Sequence, residues 1–278
     1  METLITTYTL FITSWFFVLG VAIGSFLNVV VLRFEAGEAL TGRSRCPKCG
    51  RTLSWYELIP IVSYLVQRGK CRGCRERISP QYPLVEFATG ILFALVFLVH
   101  ATAGAFSYAW SFTAYLLIAV DLTVWSNLIA IAVYDLRTKE MPDTMLFLVA
   151  LGALASSFLA GNLTLSWVLA GPAVALPFLL LSLGSRERLM GLGDGKLALG
   201  MGWLLGFEHG GSAVILAFWL GAAVSLAVMF YQYLRARFIT SSTGESITLK
   251  TAIPFGPFLV LGTLYVYLFG WSIVSFIY

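Results

Sequence analysis

Three long stretches of the chain contain no charged residue, and they restrict the possible folds more than any other feature. They run from Thr3 to Leu32, from Thr144 to Ser185 and from Thr251 to Tyr278. A helix that crosses a bilayer needs about 20 apolar residues, so each stretch can supply at least one crossing. Of the 278 residues, 59% are hydrophobic and only 12% are charged. The sequence therefore excludes a soluble enzyme, a disordered chain and a fibrous repeat, and it predicts an all-α polytopic membrane protein.

The basic residues are confined to a few segments, and their placement predicts the topology. All 18 Lys and Arg lie in four segments, 33–77, 137–139, 186–196 and 235–250. Loops on the cytoplasmic side of a membrane collect Lys and Arg, so we expect all four segments in the cytosol. The turns at 101–108, 161–164 and 206–211 contain neither residue type, as expected for turns on the opposite side.

About eight transmembrane helices follow from this alternation. They are predicted over residues 7–32, 84–99, 110–135, 144–159, 165–183, 195–206, 212–234 and 251–276. Both termini then lie outside the cytosol. The sixth helix is short, since a dozen residues reach only about 18 Å, and a broken or half-inserted helix would fit it. Glu2 stands where a cleavable signal peptide has a positive charge, so the first helix is expected to remain as an anchor.

Four cysteines lie in the one sizeable polar insertion, which separates the first two helices. Cys46, Cys49, Cys71 and Cys74 are spaced C-x2-C-x21-C-x2-C, close to the pattern of four-thiolate zinc sites. Gly50 and Gly73 are expected to permit left-handed turns beside the cysteines. Two disulfides are the alternative, but the predicted cytosolic side is reducing. A site with four protein ligands has no open position, so the zinc would be structural.

The same insertion is rich in basic residues. Ten of the 18 Lys and Arg lie between Arg33 and Pro83. A juxtamembrane segment gathers such residues to face anionic lipid headgroups. No basic stripe interleaved with aromatic residues is present, so we expect membrane lipid, and no nucleic acid, as a partner. The predicted organisation is a transmembrane helix over 1–33, a cysteine domain over 34–83 and a membrane-embedded domain over 84–278.

Two aspartates are predicted at the same depth on the cytosolic face. Asp135 ends the third helix as it emerges, and Asp194 opens the sixth helix from the same side, between glycines in the sequence GLGDGK. Two neighbouring carboxylates in a partly dry site share a proton, as in an aspartic protease. The alternatives are a helix-end salt bridge for Asp135 and a helix N-cap for Asp194.

The other ionisable residues near the helices have less specific expected roles. Asp143, which follows Pro142, is expected to be an N-cap. Asp121 lies about 21 Å along the third helix from Asp135, and it is expected to be paired inside the bundle. Glu86 suits the dipole of the second helix near its start. His100 and His209 are assigned no role.

These residues together resemble the type IV prepilin peptidase family of GxGD-type membrane aspartic proteases. The resemblance runs over nearly the whole chain and lies in the order and spacing of its motifs, which are GSFLNVV at 24–30, both cysteine pairs, IPIVSYL at 59–65, RGKC at 68–71, ISPQYPLVE at 78–86, Asp135 through Pro142-Asp143, GLGDGK at 191–196 and PFGPF at 254–258. One departure is Gly195, where many members carry a β-branched residue before the lysine.

The resemblance implies an activity, site residues and a location. It implies Asp135 and Asp194 as the catalytic pair, which cleaves the short basic leader of type IV prepilins or type II secretion pseudopilins after a glycine. It implies a bacterial cytoplasmic membrane protein whose active site faces the cytosol. Members with the cysteine insertion often N-methylate the new amino terminus with S-adenosylmethionine, and Gly69 and Lys70 are associated with that second activity.

Two alternative functions remain at this point. A proton-coupled transporter would use Asp121, Asp135 and Asp194 as a proton relay, and inverted repeats would be expected of it. A non-enzymatic membrane adaptor would use the cysteine insertion to bind a protein partner, which would leave the glycines around Asp194 without a purpose.

Overall fold

The computed structural model describes residues 2–102, 111–162, 164–188, 190–238 and 253–273. Within these ranges the regular elements are helices, which confirms the all-α prediction. They are α1 (Glu2–Ala36), α2 (Val62–Val66), α3 (Gln81–His100), α4 (Phe112–Thr138), α5 (Asp143–Leu159), α6 (Leu165–Ser185), α7 (Leu192–Phe238) and α8 (Gly256–Phe269), with a 3-10 turn at Trp55–Leu58.

Five of these helices are long and apolar enough to cross a membrane: α1, α3, α4, α6 and α7. The apolar helices α5 and α8 are shorter. Several predicted features fall outside the described residues: most of the turn at 101–108, the start of the third predicted helix at Trp110, and the basic segment beyond residue 238.

A break at Gly206 divides α7 into two antiparallel legs. Gly206 has φ 79° and ψ 177° inside an otherwise helical segment. A Cβ on Gly210 would lie 3.2 Å from the Cα of Gly202, whereas eight residues along an unbroken helix are separated by about 12 Å. The chain therefore reverses at Gly206. The predicted sixth and seventh helices are the two legs, but the predicted turn over 206–211 is wrong, because the second leg begins immediately after the break.

The predicted eighth helix is too long at both ends. Ile253 and Pro254 are not helical, and α8 begins at Gly256 with a proline in its first turn, a position that suits proline because the missing N–H is unpaired there anyway. The helix ends at Phe269, since Gly270 takes the left-handed conformation at its C-cap. The prediction is therefore wrong over 270–273, and residues 274–276 lie outside the described part of the chain.

Close backbone packing joins α1 to α3. The structure divides into two compact units, and the first contains the chain as far as Tyr134 together with Ala155–Gly161. A Cβ on Gly20 would lie 2.6 Å from the carbonyl oxygen of Thr89, and one on Gly24 would lie 2.7 Å from the Cα of Glu86. Small residues four apart let two helices approach in this way. The buried Asn28 side chain also donates to the Tyr82 carbonyl at 3.2 Å.

The second unit contains Asp135–Leu154 and Asn162–Tyr278. Within it, α6 packs against the first leg of α7 through glycines and through two tryptophans. The indole of Trp167 donates to the Trp203 carbonyl at 2.7 Å, and the indole of Trp203 donates to the Val168 carbonyl at 2.9 Å. Each indole N–H thus finds an acceptor on the facing helix, which satisfies a polar group in an apolar setting.

Candidate active site and metal centre

Asp135 lies in the last turn of α4, and its carboxylate is held by a backbone donor. The side chain is buried, and its Oδ2 accepts a hydrogen bond from the Gly256 N–H at 2.9 Å. A Cβ on Gly256 would lie 2.6 Å from that oxygen, so only glycine permits this approach. No ion pair of Asp135 is present among the described residues, so the structure does not support the alternative of a helix-end salt bridge.

Asp194 lies in the first turn of α7, in the same unit as Asp135. It is the third residue of the helix, which begins at Leu192, so the N-cap alternative is wrong. The side chain is buried, and it is close enough to Asp135 for the two charges to repel each other. The Oδ1 of Asp194 has no hydrogen-bond partner among the described residues.

Met141 packs against the glycines that flank both aspartates. A Cβ on Gly193 would lie 3.2 Å from the Met141 Cβ, and one on Gly256 would lie 2.7 Å from the Met141 Cε. The side chain thus separates the backbone beside Asp194 from the backbone beside Asp135 with apolar atoms. Such a surrounding lowers the local dielectric and strengthens electrostatic interactions between the carboxylates.

The unusual Gly195 is explained by its contact with α6. A Cβ at this position would lie 2.9 Å from the Cδ2 of Leu179 and 3.3 Å from its Cγ. The smaller residue therefore lets α7 begin close to α6, so the departure from the family pattern at Gly195 concerns local packing. The next residue, Lys196, forms an ion pair of 2.6 Å with Asp143. Asp143 is the first residue of α5, so its predicted N-cap role is wrong.

The four cysteine sulfurs form one cluster in the first unit. All four lie within 4.8 Å of one another, and the Sγ atoms of Cys46 and Cys74 are 3.9 Å apart. A tetrahedral zinc site with Zn–S bonds of about 2.3 Å places its sulfurs about 3.8 Å apart. A disulfide needs about 2.05 Å, and the four cysteines are free thiols. The arrangement therefore fits a metal ion and not the disulfide alternative.

Each cysteine pair lies in its own short hairpin, and the two hairpins have the same hydrogen-bond pattern. The Cys46 N–H donates to the Arg51 carbonyl, and the Cys71 N–H donates to the Glu76 carbonyl, both at 2.9 Å. Gly50 has φ 68°, as predicted, but the equivalent residue of the second hairpin is Arg75, with φ 58°. The prediction of a left-handed turn at Gly73 is therefore wrong.

Gly73 instead supports the sulfur cluster. Its N–H donates to the Cys71 Sγ at 3.4 Å. Hydrogen bonds from the backbone N–H groups of Cys74 and Gly73 lower the pKa of the Cys71 thiol to about 6. The thiolate that these donors favour is the form of cysteine that binds metals.

Gly69 and Lys70 lie at the start of the second hairpin. Gly69 has φ 66°, and a Cβ on it would lie 3.0 Å from the Tyr64 ring. Its carbonyl accepts the Ile78 N–H at 2.7 Å, so backbone geometry accounts for the glycine. The Lys70 side chain is exposed.

The pairing predicted for Asp121 is confirmed, and His100, which had no predicted role, is one of its partners. The Asp121 carboxylate lies 2.8 Å from the Nε2 of His100 and accepts a hydrogen bond of 2.5 Å from the Ser156 hydroxyl. All three residues belong to the first unit. The contact with His100 was not predictable, because helical periodicity does not indicate which residues of α3 and α4 face each other.

Two family models match the chain. Residues 18–100 match the bacterial peptidase A24 N-terminal domain, and residues 122–226 match the type IV leader peptidase family. A prepilin leader peptidase/N-methyltransferase of Bacillus subtilis (strain 168) is 32% identical over 266 residues, which cover 95% of this chain and 96% of the relative. The chain belongs to the type IV leader peptidase family. This assignment confirms the predicted family and enzyme class and argues against the transporter and the adaptor.

Other relatives carry the same name. One from Burkholderia pseudomallei (strain 1026b) is 31% identical, covering 91% of this chain and 84% of the relative. One from Myxococcus xanthus (strain DK1622) is 34% identical over 220 residues, which cover 77% of this chain but only 62% of that longer protein. No solved structure gives a significant match. As a leader peptidase, the chain has both aspartates within the second matched region and all four cysteines within the first.

Proposed function

We propose that this leader peptidase is an aspartic endopeptidase that removes the short basic leader of type IV prepilins or type II secretion pseudopilins. The bond would be cut at the cytosolic face of the bacterial inner membrane. The observation that carries the proposal is the pair of buried, mutually interacting carboxylates of Asp135 and Asp194. The names of the relatives support the substrate class.

The hydrogen bonds of the two aspartates support different roles for them. A backbone N–H stabilises the ionised form of a carboxylate, so Asp135, which accepts from Gly256 at 2.9 Å, is the proposed general base. It takes a proton from water as the water oxygen bonds to the peptide carbonyl carbon. Asp194, whose Oδ1 has no partner among the described residues, is the proposed acid that protonates the carbonyl oxygen. Collapse then re-forms the carbonyl group as its hydroxyl proton returns to Asp194, and it breaks the C–N bond as Asp135 gives its proton to the leaving amine.

The proposed substrate position follows from its chemistry. The apolar helix of a prepilin would lie among the peptidase helices, with its basic leader in the cytosol where Lys and Arg are retained. The predicted organisation into a first helix over 1–33, a cysteine domain over 34–83 and a peptidase domain over 84–278 remains part of this proposal.

Cleavage of a purified prepilin by single-site variants in detergent tests the proposal. We expect Asp135→Asn and Asp194→Asn each to lower the rate at least about a hundredfold, because each removes an acid–base group. Glu140→Gln, which alters an exposed acid of the same unit, is the matched control and should cut at the wild-type rate. If either aspartate variant elutes as a folded protein and still cuts at that rate, the catalytic pair is wrong.

Methylation of the new amino terminus is the second proposed activity, with S-adenosylmethionine as the methyl donor. It is supported by the N-methyltransferase part of the relatives' names. The positions of Gly69 and Lys70 do not by themselves identify a cofactor site. The two activities are separated by measuring the transfer of a labelled methyl group from S-adenosylmethionine to a pilin that has already been cleaved. Asp135→Asn should still methylate it, and the absence of transfer by active wild-type enzyme would contradict the proposal.

Zinc is the proposed metal of the four-cysteine cluster, with a structural role. The sulfur spacing and the four-thiolate donor set fit this ion. We expect one zinc per chain by elemental analysis, and we expect Cys71→Ser to lose most of it and to increase proteolysis between residues 43 and 78. Full metal content in that variant would count against the four-thiolate site.

A further inference from the structure

Segment 55–66 of the cysteine insertion presents an uncharged apolar face. Seven of its twelve residues are exposed and either apolar or aromatic: Trp55 (77% exposed), Tyr56, Leu58, Ile59, Val62, Leu65 and Val66 (67% exposed). Its only charged residue, Glu57, is buried. Soluble surfaces rarely carry such a concentration of exposed apolar side chains, and a patch of this kind marks a surface that something else covers.

This face is attached to the start of a membrane helix. The Ile61 N–H donates to the Glu86 Oε2 at 2.7 Å, and Glu86 is buried in the second turn of α3. Ile61 has φ 60° and ψ −53°, a conformation that is unfavourable for a β-branched residue and persists only where its surroundings hold it. Because α3 is a candidate membrane span, the bond fixes segment 55–66 beside the end of such a span.

Exposed cations follow the face along the chain. Arg68, Lys70 and Arg72 are exposed, and the Arg72 guanidinium lies 5.0 Å from the centre of the Tyr56 ring. Tryptophan and tyrosine are enriched at membrane–water interfaces, and cations beside an apolar face are attracted to anionic lipid phosphates. The face therefore combines the groups that an interfacial membrane site needs.

We propose that segment 55–66 docks into the interfacial layer of the bilayer. Its apolar side chains lie among the upper acyl chains, and the neighbouring cations contact the phosphates of anionic lipids. The attachment to α3 favours lipid over a protein occupant, because it holds the face beside a membrane span. The cations also disfavour the basic leader of a prepilin, which they would repel. The inference depends only on the chain spanning a membrane and not on its proposed activity.

Quenching of Trp55 by brominated lipids tests the proposal on the full chain in nanodiscs, without substrate. The Trp55 emission is the difference between the wild-type protein and Trp55→Phe. In mixed phosphatidylcholine and phosphatidylglycerol with bromines near the headgroup, we expect it to fall at least about twofold, as for a side chain at the boundary between headgroups and acyl chains. In phosphatidylcholine alone the quenching should be weaker, and equal quenching would contradict the role of the cations.

Leu65→Glu and Leu40→Glu provide a matched pair. Both replace an exposed leucine of the same insertion, but only Leu65 belongs to the proposed face. Each is compared with its own Trp55→Phe double variant, and retained metal shows that the insertion is folded. Leu65→Glu should lower the quenching of Trp55 and Leu40→Glu should not. If brominated lipid leaves Trp55 unquenched, or if Trp55 changes only when prepilin is added, the face does not bind lipid and the proposal is wrong.

Discussion

The carboxylate of Asp135 and the N–H of Gly256 are 121 positions apart in sequence, and the absence of a side chain on Gly256 allows them to meet. The PFGPF pattern marked this region only as part of a family resemblance. A contact between a side chain and a distant backbone group leaves no local periodicity, so the sequence predicted both aspartates but not the donor that holds one of them.

Gly256→Ala should impair catalysis through the position of Asp135. The added Cβ would lie 2.6 Å from the carboxylate oxygen, and a displacement of about 1 Å at a catalytic group costs about a hundredfold in rate. We expect kcat for prepilin cleavage to fall by about that factor, with little change in KM. Gly184→Ala is the control, because a Cβ there meets nothing within 4 Å. A rise in KM alone would mean that Gly256 acts on substrate binding instead.

The Glu57 carboxyl gives the cysteine insertion a contribution to stability that depends on pH. Burial disfavours its charged form, but hydrogen bonds from the Ser54 N–H and the Arg51 guanidinium outweigh burial and hold the pKa of Glu57 below its usual value of 4.5. A carboxyl with a lowered pKa in the folded state stabilises that state above its unfolded pKa. The contribution is lost as the pH falls through the folded pKa.

Glu57→Gln should therefore make the insertion open more easily, with the full effect above about pH 4.5 and a decreasing effect below it. The measurement is the ratio of hydrogen-exchange protection factors of residues 51–57 in wild type and variant across a pH series. We expect the ratio to exceed one near neutral pH and to approach one in acid. A ratio that stays constant down to pH 3 would show that ionisation of Glu57 contributes nothing.

At the scale of helices, the break at Gly206 shows what a glycine-rich stretch does and does not reveal. Residues 206–211, which contain neither Lys nor Arg, predicted a turn between two helices, and a reversal is present. Its extent was not predictable, because the residues after Gly206 can all be helical. Gly206, with its positive φ, is the single non-helical residue within α7. One residue in this conformation is enough to reverse the chain, so no loop is needed.

Gly202→Ala should destabilise the pairing of α6 with α7. Its Cβ would lie 2.6 Å from the Ala170 carbonyl oxygen and 2.8 Å from the Cα of Gly171. Backbone atoms cannot move aside as a flexible side chain can, so we expect the free energy of unfolding to fall by about 1–3 kcal/mol. A lower midpoint of thermal unfolding in detergent would report this loss.

Gly211→Ala is the matched control for Gly202→Ala on the same helix. A Cβ at Gly211 meets nothing within 4 Å, and alanine is the better helix former by about 0.5–1 kcal/mol. The midpoint of thermal unfolding of Gly211→Ala should be unchanged or slightly raised. Equal losses in both variants would contradict a role for close packing at Gly202, because the Cβ at Gly211 meets no atom and alanine favours the helix.

At the scale of the whole molecule, the sequence predicted which segments form helices better than it predicted which helices pack against each other. Long uncharged runs and clustered cations indicate that the chain forms apolar helices, and the cysteine spacing indicates a four-sulfur cluster. Neither signal contains the glycine contacts that decide which helices pack together, such as Gly24 on α1 against α3. Helix packing depends on close approach at single positions, and the apolar pattern along one helix does not show where these are.

The helices α5 and α8, and the first leg of α7, are all short. With 17 residues in α5 and 14 in α8, they reach only about 21–26 Å, against a typical hydrocarbon thickness of about 30 Å. Hydrophobic mismatch of this size is relieved when the surrounding bilayer thins. The acyl chain length of the surrounding lipids is therefore expected to influence the stability of the unit that holds both aspartates.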